Sequence, residues 1–128
     1  MITLTLEQLL EIHVLAINAT GGSAGIRDLG RLESAIATQT QNIFGEELYQ
    51  SINNKATALI RAIIADHPFI DGNKRTAMLT GITFLEINGL NFVAKTGEIE
   101  DMAVSIATEH IDIPIISDWL MGHIKYRG

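Results

Sequence analysis

The stretch from Asn73 to Asn88 is apolar on nearly every side: Ala77, Met78, Leu79, Ile82, Phe84 and Leu85 leave no broad polar face. A helix of that kind cannot lie at an edge and belongs in the middle of a bundle. Gly89 terminates it. The remaining chain reads as elements that can surround it. Thr5 and Gln8 form a capping box, opening a helix whose expected apolar face is Leu6, Leu9, Leu10, Val14 and Ile17, and Gly21-Gly22 ends it. Asp28 can cap a second helix carrying Leu32, Ala35 and Ile36. From Ile52 to Asp66 the spacing of Ile52, Ala56, Leu59, Ile60, Ile63 and Ile64 is helical, and Pro68 stops that run. Further helices are predicted at about Glu98 to Glu109 and Pro114 to Tyr126, with Pro114 suited to a first turn.

Two segments break the helical pattern. Asn42 to Gln50, with Ile43, Phe44, Leu48 and Tyr49 around Gly45, reads as a loop with short strand character, and Leu90 to Ala94 as a short extended piece. The expected fold class is all-α, a bundle of about six helices with a short flap hairpin, and 128 residues suit one domain over 1–128.

Composition narrows the function classes. With 15 acidic against 9 basic side chains the net charge is −6, which repels nucleic acid unless the basic residues gather in one place. The only adjacent basic pair is Lys74-Arg75, too small for a nucleic-acid footprint but able to hold one polyphosphate. No direct nucleic-acid partner is therefore expected. No apolar run is long enough for a membrane span, and the N-terminus lacks the pattern of a secretory signal. Cysteine is absent, which excludes disulfides and thiolate metal sites and fits a reducing cytoplasm.

One junction carries more chemistry than a turn needs. Asp66-His67-Pro68-Phe69-Ile70-Asp71-Gly72-Asn73-Lys74-Arg75-Thr76 joins two apolar helices, yet it is crowded with ionisable and amide side chains. Gly72 lets the backbone approach a ligand closely. The free N–H groups of the next helix then point at that ligand, aided by the helix dipole. Lys74 and Arg75 sit unfavourably against the same dipole, a conflict that an anion such as a triphosphate would remove. Asp71 could hold a magnesium ion against phosphate oxygens. His67 can accept a proton near neutral pH and so activate an incoming hydroxyl. In-line positioning, charge neutralisation and a group to orient the nucleophile are what phosphoryl transfer requires.

HPFIDGNKRTA resembles the signature of the Fic/Doc superfamily, and within it the death-on-curing (Doc) toxins of toxin–antitoxin pairs. The opening helix with His13, the stretch GGSAGIRDLGRLESAI, FGEELY and FLEINGL are similar to those toxins in order and spacing, so the resemblance covers most of the chain. Two positions separate the branches. Adenylyltransferases of the Fic branch have glycine where this chain has Lys74 and a second arginine where it has Met78, whereas Doc toxins have lysine and an apolar residue. Pro68 and Gly72 follow the broader Fic pattern. The resemblance implies ATP and magnesium as cofactors and transfer of the γ-phosphate to a protein threonine hydroxyl, with elongation factor Tu as the target and translation blocked.

It also implies roles. His67 would activate the hydroxyl, Asp71 would bind magnesium, Asn73 would hydrogen-bond phosphate, and Lys74 and Arg75 would stabilise its charge, with Gly72 lining the nucleotide site. Phe69 would anchor the loop, and FGEELY would be a flap that aligns a target peptide by strand pairing. The Ser/Thr-x-x-x-Glu-Gly/Asn pattern of self-inhibited members does not occur in the chain. Restraint is then expected from an antitoxin whose tail folds as a helix into an apolar groove.

Plainer readings stand beside these. His67 could cap the preceding helix, Asp71 and Asn73 could be turn residues, and Lys74-Arg75 could be a solvated pair. Their joint occurrence with Phe69 and Gly72 favours chemistry. His13, His110 and His123 show no metal-ligand spacing and read as surface or helix-packing residues. Trp119, Leu120 and Ile116 read as core, and Arg27 and Arg31 are the weaker candidates for touching a ligand or partner. An adenylyltransferase and a catalytically silent nucleotide-binding module remain the alternatives to the kinase.

Overall fold

A computed structural model describes residues 1–125. Its six helices are α1 (Leu6–Thr20), α2 (Leu29–Ala37), α3 (Ile52–Asp66), α4 (Asn73–Ile87), α5 (Thr96–Glu109) and α6 (Ile113–Gly122). The all-α expectation holds, with four two-residue strands added: β1 (Asn42–Ile43), β2 (Glu46–Glu47), β3 (Asn91–Phe92) and β4 (Ile124–Lys125).

The helix starts follow the capping chemistry. The Thr5 hydroxyl accepts from the Gln8 N–H at 3.2 Å, and the Gln8 side chain accepts from the Thr5 N–H at 2.9 Å. Asp28 accepts from Arg31 N at 3.1 Å, and Ser51 accepts from Asn54 N at 3.1 Å. The flap is a tight hairpin: Phe44 and Gly45 both have positive φ, as a two-residue turn between right-twisted strands requires.

α3 and α4 form the central pair, with α1, α2, α5 and α6 packed around them. Leu9, Leu32, Leu59, Ile60, Ile63, Phe84, Leu85, Ile116 and Leu120 are completely buried. Each such side chain contributes about 1.5–3 kcal/mol by leaving water. Gly81 sets the closeness of the central pair, because a Cβ there would fall inside the Ile60 side chain.

One buried face and two helix ends differ from the sequence expectation. α1 buries Leu9, Ile12, His13, Ala16 and Ile17, whereas Val14 is half exposed, so the buried stripe is rotated away from Val14. α5 begins at Thr96 instead of Glu98, because the Glu98 side chain reaches back to the Lys95 N–H at 3.3 Å and draws the first turn backwards. α6 ends at Gly122, since Ile124–Lys125 leave the helix to pair antiparallel with Asn91–Phe92. Tyr126, the expected last residue of that helix, lies outside the described residues.

The β3–β4 corner carries its own polar lock. The His123 ring donates to the Trp119 carbonyl at 2.8 Å, and its other nitrogen meets Glu98 Oε2 at 2.7 Å. Phe92 and Trp119 pack on the same ring. The Trp119 carbonyl and the Glu98 carboxylate raise the His123 pKa, and the bond to His123 lowers that of Glu98. A raised histidine pKa contributes stability that is full below its ordinary value of 6.5 and lost as pH rises through the folded value. The lowered Glu98 contributes above its ordinary 4.5 and is lost as pH falls below it. His123→Gln should therefore lower the melting temperature most between these two values and progressively less above the upper one. Paired thermal melts of the two proteins across that range check this.

Candidate active site

The loop between α3 and α4 is held by contacts from three directions. The Asn73 side chain, at the first turn of α4, makes the first of these: its Oδ1 accepts from Phe69 N and its Nδ2 donates to Phe69 O, both at 3.0 Å. This pair closes the loop on itself. Phe69 is buried and lies flat against the His13 ring of α1, with centroids 3.8 Å apart and planes 8° apart. His13 Nε2 donates to the Asp71 carbonyl at 2.9 Å. On the third side the segment 25–28 runs beside the loop: Arg27 N and Asp28 N donate to Pro68 O, and Ile70 N donates to Gly25 O at 3.1 Å.

This bracing fixes His67. It ends α3 in the left-handed region at φ 48°, its own N–H still bonded to Ile63 O. For a residue with a Cβ that conformation costs about 1–2 kcal/mol. Arg27 helps hold it, donating from Nε to His67 O at 2.6 Å and from Nη2 to Asp66 O at 2.5 Å. Such a guanidinium also suits the negative end of α3. The ring is exposed, and its Nδ1 lies 3.3 Å from the Ala65 carbonyl. A carbonyl only accepts, so in the neutral ring this contact suits the tautomer with the proton on Nδ1 and the lone pair on Nε2.

Asp71 and Gly72 complete the turn. Asp71 Oδ1 accepts from Gly72 N at 2.9 Å and Oδ2 accepts from Ser23 N at 3.3 Å, while the carboxylate stays exposed. Gly72 has φ 74°, and a Cβ there would lie 2.9 Å from Ile17 Cδ1, so both backbone and neighbour exclude a side chain. No side chain caps α4. Its first N–H groups therefore have no partner within the helix.

His67, Asp71, Gly72, Asn73, Lys74 and Arg75 all line one cleft of about 670 Å³, within the range of small-molecule sites. Met78, Leu79, Ile99, Ala103 and Val104 supply an apolar wall. Lys74 is exposed and enters no ion pair among the described residues. Arg75 Nη1 lies 4.0 Å from Glu100 Oε1, and Arg75 Nε is buried without a hydrogen-bond partner. A buried donor left unpaired is costly.

His67, Asp71, Gly72, Asn73, Lys74 and Arg75 thus meet in this cleft, with Phe69 buried as the expected anchor, whereas the FGEELY flap does not line it. Arg27 and Arg31 do not line it; Arg31 pairs with Asp28 and Asp66 instead. The sequence reading missed the part played by His13, which is a packing residue as expected but also a clamp on Asp71. It missed the α5 wall as well. The only sign of His13 was its place four residues before Ile17, on the stripe that meets Gly72.

Residues 3–85 match the model of the Fic/DOC family. The chain is 36% identical over 106 residues to "Toxin Doc" of Mycolicibacterium smegmatis, covering 81% of this chain and 82% of that protein. It is 34% identical over 114 residues to "Protein kinase doc" of Escherichia phage P1, covering 89% of each.

The clamp makes a prediction. His13→Phe keeps the stack on Phe69 but removes the donor to Asp71 O, leaving a part-buried carbonyl unpaired at a cost of about 1–3 kcal/mol. Urea unfolding should show a loss of that size. His13→Gln, which can still donate, should recover part of the stability.

Proposed function

The chain belongs to the Fic/DOC family, and from that membership and the cleft's geometry we propose that it is a toxin of a toxin–antitoxin pair that transfers the γ-phosphate of ATP to a protein hydroxyl. Lys74 and Arg75, lining the same cleft as His67 at an α4 N-terminus that no side chain caps, carry this reading. Lys74 enters no ion pair among the described residues, Arg75 has only the exposed Glu100 at 4.0 Å, and the imidazole beside them can take a proton.

In this reading the phosphate chain of ATP lies across the N-terminus of α4 and the base lies against the apolar wall of α4 and α5. His67 Nε2 takes the proton of the acceptor hydroxyl as its oxygen forms the new bond to the γ-phosphorus. The bond from that phosphorus to the bridging oxygen breaks, and ADP leaves with the electron pair. Lys74, Arg75 and the α4 N–H groups stabilise charge on the transferring group. Asn73 retains one amide hydrogen beyond its bond to Phe69 and can give it to phosphate.

Asp71 fits a magnesium ion. Its carboxylate is exposed on the cleft, and each oxygen accepts from only one N–H, leaving lone pairs for a hard cation. When bound, the ion would neutralise phosphate charge. The resemblance names the acceptor as a threonine of elongation factor Tu, presented along the β1–β2 flap, and the consequence as blocked translation in the cytoplasm. Restraint would come from an antitoxin helix seated in a groove.

Lys74 favours the γ-phosphate over AMP transfer, because a long cationic side chain fills space that glycine leaves for phosphates in the adenylylating branch. The name of the phage relative accords with this. Incubation with magnesium and a bacterial lysate, in parallel with ATP labelled at the γ- or the α-phosphate, tests the reading. Label should appear on one protein from the γ sample only, and His67→Ala should abolish it. Label from α alone would assign AMP transfer instead, and a cellular effect surviving His67→Ala would point to a silent module.

A further inference from the structure

A second, smaller depression of about 180 Å³ lies between the C-terminal halves of α3 and α5 and shares His67 with the cleft. Ile64, Ile106 and Ala107 contribute its apolar surface, and Arg61, His67 and His110 its polar groups. The helical repeat assembles it: Arg61, Ile64 and Ala65 lie three and four residues apart on α3, and Ile106 lies four before His110.

Its size, charge and position all limit what it can hold. Small-molecule sites run to about 300–1,000 Å³, so this notch is too small for a nucleotide and suits a side chain. Arg61 and His110 make no side-chain hydrogen bond or ion pair among the described residues. No carboxylate lines the notch, whereas Asp71 and Glu100 both line the main cleft. In a chain of net charge −6 this is a local cationic spot. Because His67 lines both hollows, a polypeptide offering a hydroxyl to His67 from the cleft would have the notch within reach of a neighbouring side chain.

We propose that the notch is a specificity subsite for an acidic side chain, aspartate or glutamate, close to the acceptor hydroxyl of the target protein. The proposal rests on the protein-hydroxyl reading above. Arg61 would take the carboxylate in charge-assisted hydrogen bonds, with His110 on the opposite rim and the side-chain methylenes against Ile64 and Ile106. The C-terminal ends of α3 and α5 set partial negative charge near the same two residues. That keeps the Arg61 guanidinium in place, and a full carboxylate charge at hydrogen-bond distance outweighs those half-charges.

The test is an NMR titration of the isotopically labelled full chain without nucleotide. The probes are two acetylated, amidated peptides, each with one threonine, flanked in one by glutamates and in the other by glutamines. The glutamate peptide should move the Arg61 Nε–H and His110 amide signals and bind about tenfold more tightly, a difference of about 1.4 kcal/mol. Arg61→Gln should erase that difference, Arg61→Lys should keep part of it, and ATP affinity should be unchanged in both. Equal affinities (no binding by either peptide included), a preference that survives Arg61→Gln, or shifts confined to Lys74 and Arg75 would overturn the proposal. Since no phosphate is transferred in this titration, its outcome is separate from that of the labelled-ATP experiment.

Discussion

Two hydrogen bonds between the Asn73 side chain and the backbone of Phe69 turn a helix–loop–helix junction into a fixed ligand cradle. They hold the loop in one shape, and the shape decides where everything else points. With Phe69 drawn inward, its ring seats on His13, and His13 in turn grips the Asp71 carbonyl. Asp71 then faces the cleft, Gly72 can turn with a positive φ under Ile17, and α4 begins with no side chain capping it. A phenylalanine in the core, rather than a charge, is what positions the charges.

The loop is a place where local stability is given up. His67 occupies a left-handed conformation, Lys74 and Arg75 stand at the positive end of a helix dipole, and Arg75 Nε is buried without a partner. Each feature is unfavourable alone. The surrounding helices can hold them because α3 and α4 pack closely at Gly81 and because the segment 25–28 braces the loop from outside. A conflict of this kind, maintained by a well-packed scaffold, marks a site prepared for something of opposite charge.

Much of this was legible in the residues. The all-round apolar character of Ala77 to Leu85 placed α4 at the centre, the Thr5, Asp28 and Pro68 signals located helix ends, and the residues from His67 to Arg75 did converge on one cleft. What escaped was decided by partners distant in sequence. Val14 looked like core because it fits a helical repeat, but the stripe that meets the loop runs through His13 and Ile17. The last helix stops short because Ile124 and Lys125 find Asn91 and Phe92, and periodicity in one segment cannot report a pairing with another. Arg27 appeared as a loose charge in a glycine-rich loop, yet it caps a helix end some 40 residues away. Glu100 and the apolar wall of α5 carry no motif at all, and only the packing of α5 on α4 brings them to the cleft.

The central claim is that the α4 N-terminus and Arg75 await a phosphate. The backbone N–H resonances of Asn73, Lys74 and Arg75, followed by NMR while ATP and magnesium are added to the full chain, test it most directly. The claim predicts large shifts of these signals together with slower exchange with water, as the first donors of the helix gain an acceptor. Signals that stay in place while ATP saturates the protein would contradict it, because the nucleotide would then lie elsewhere.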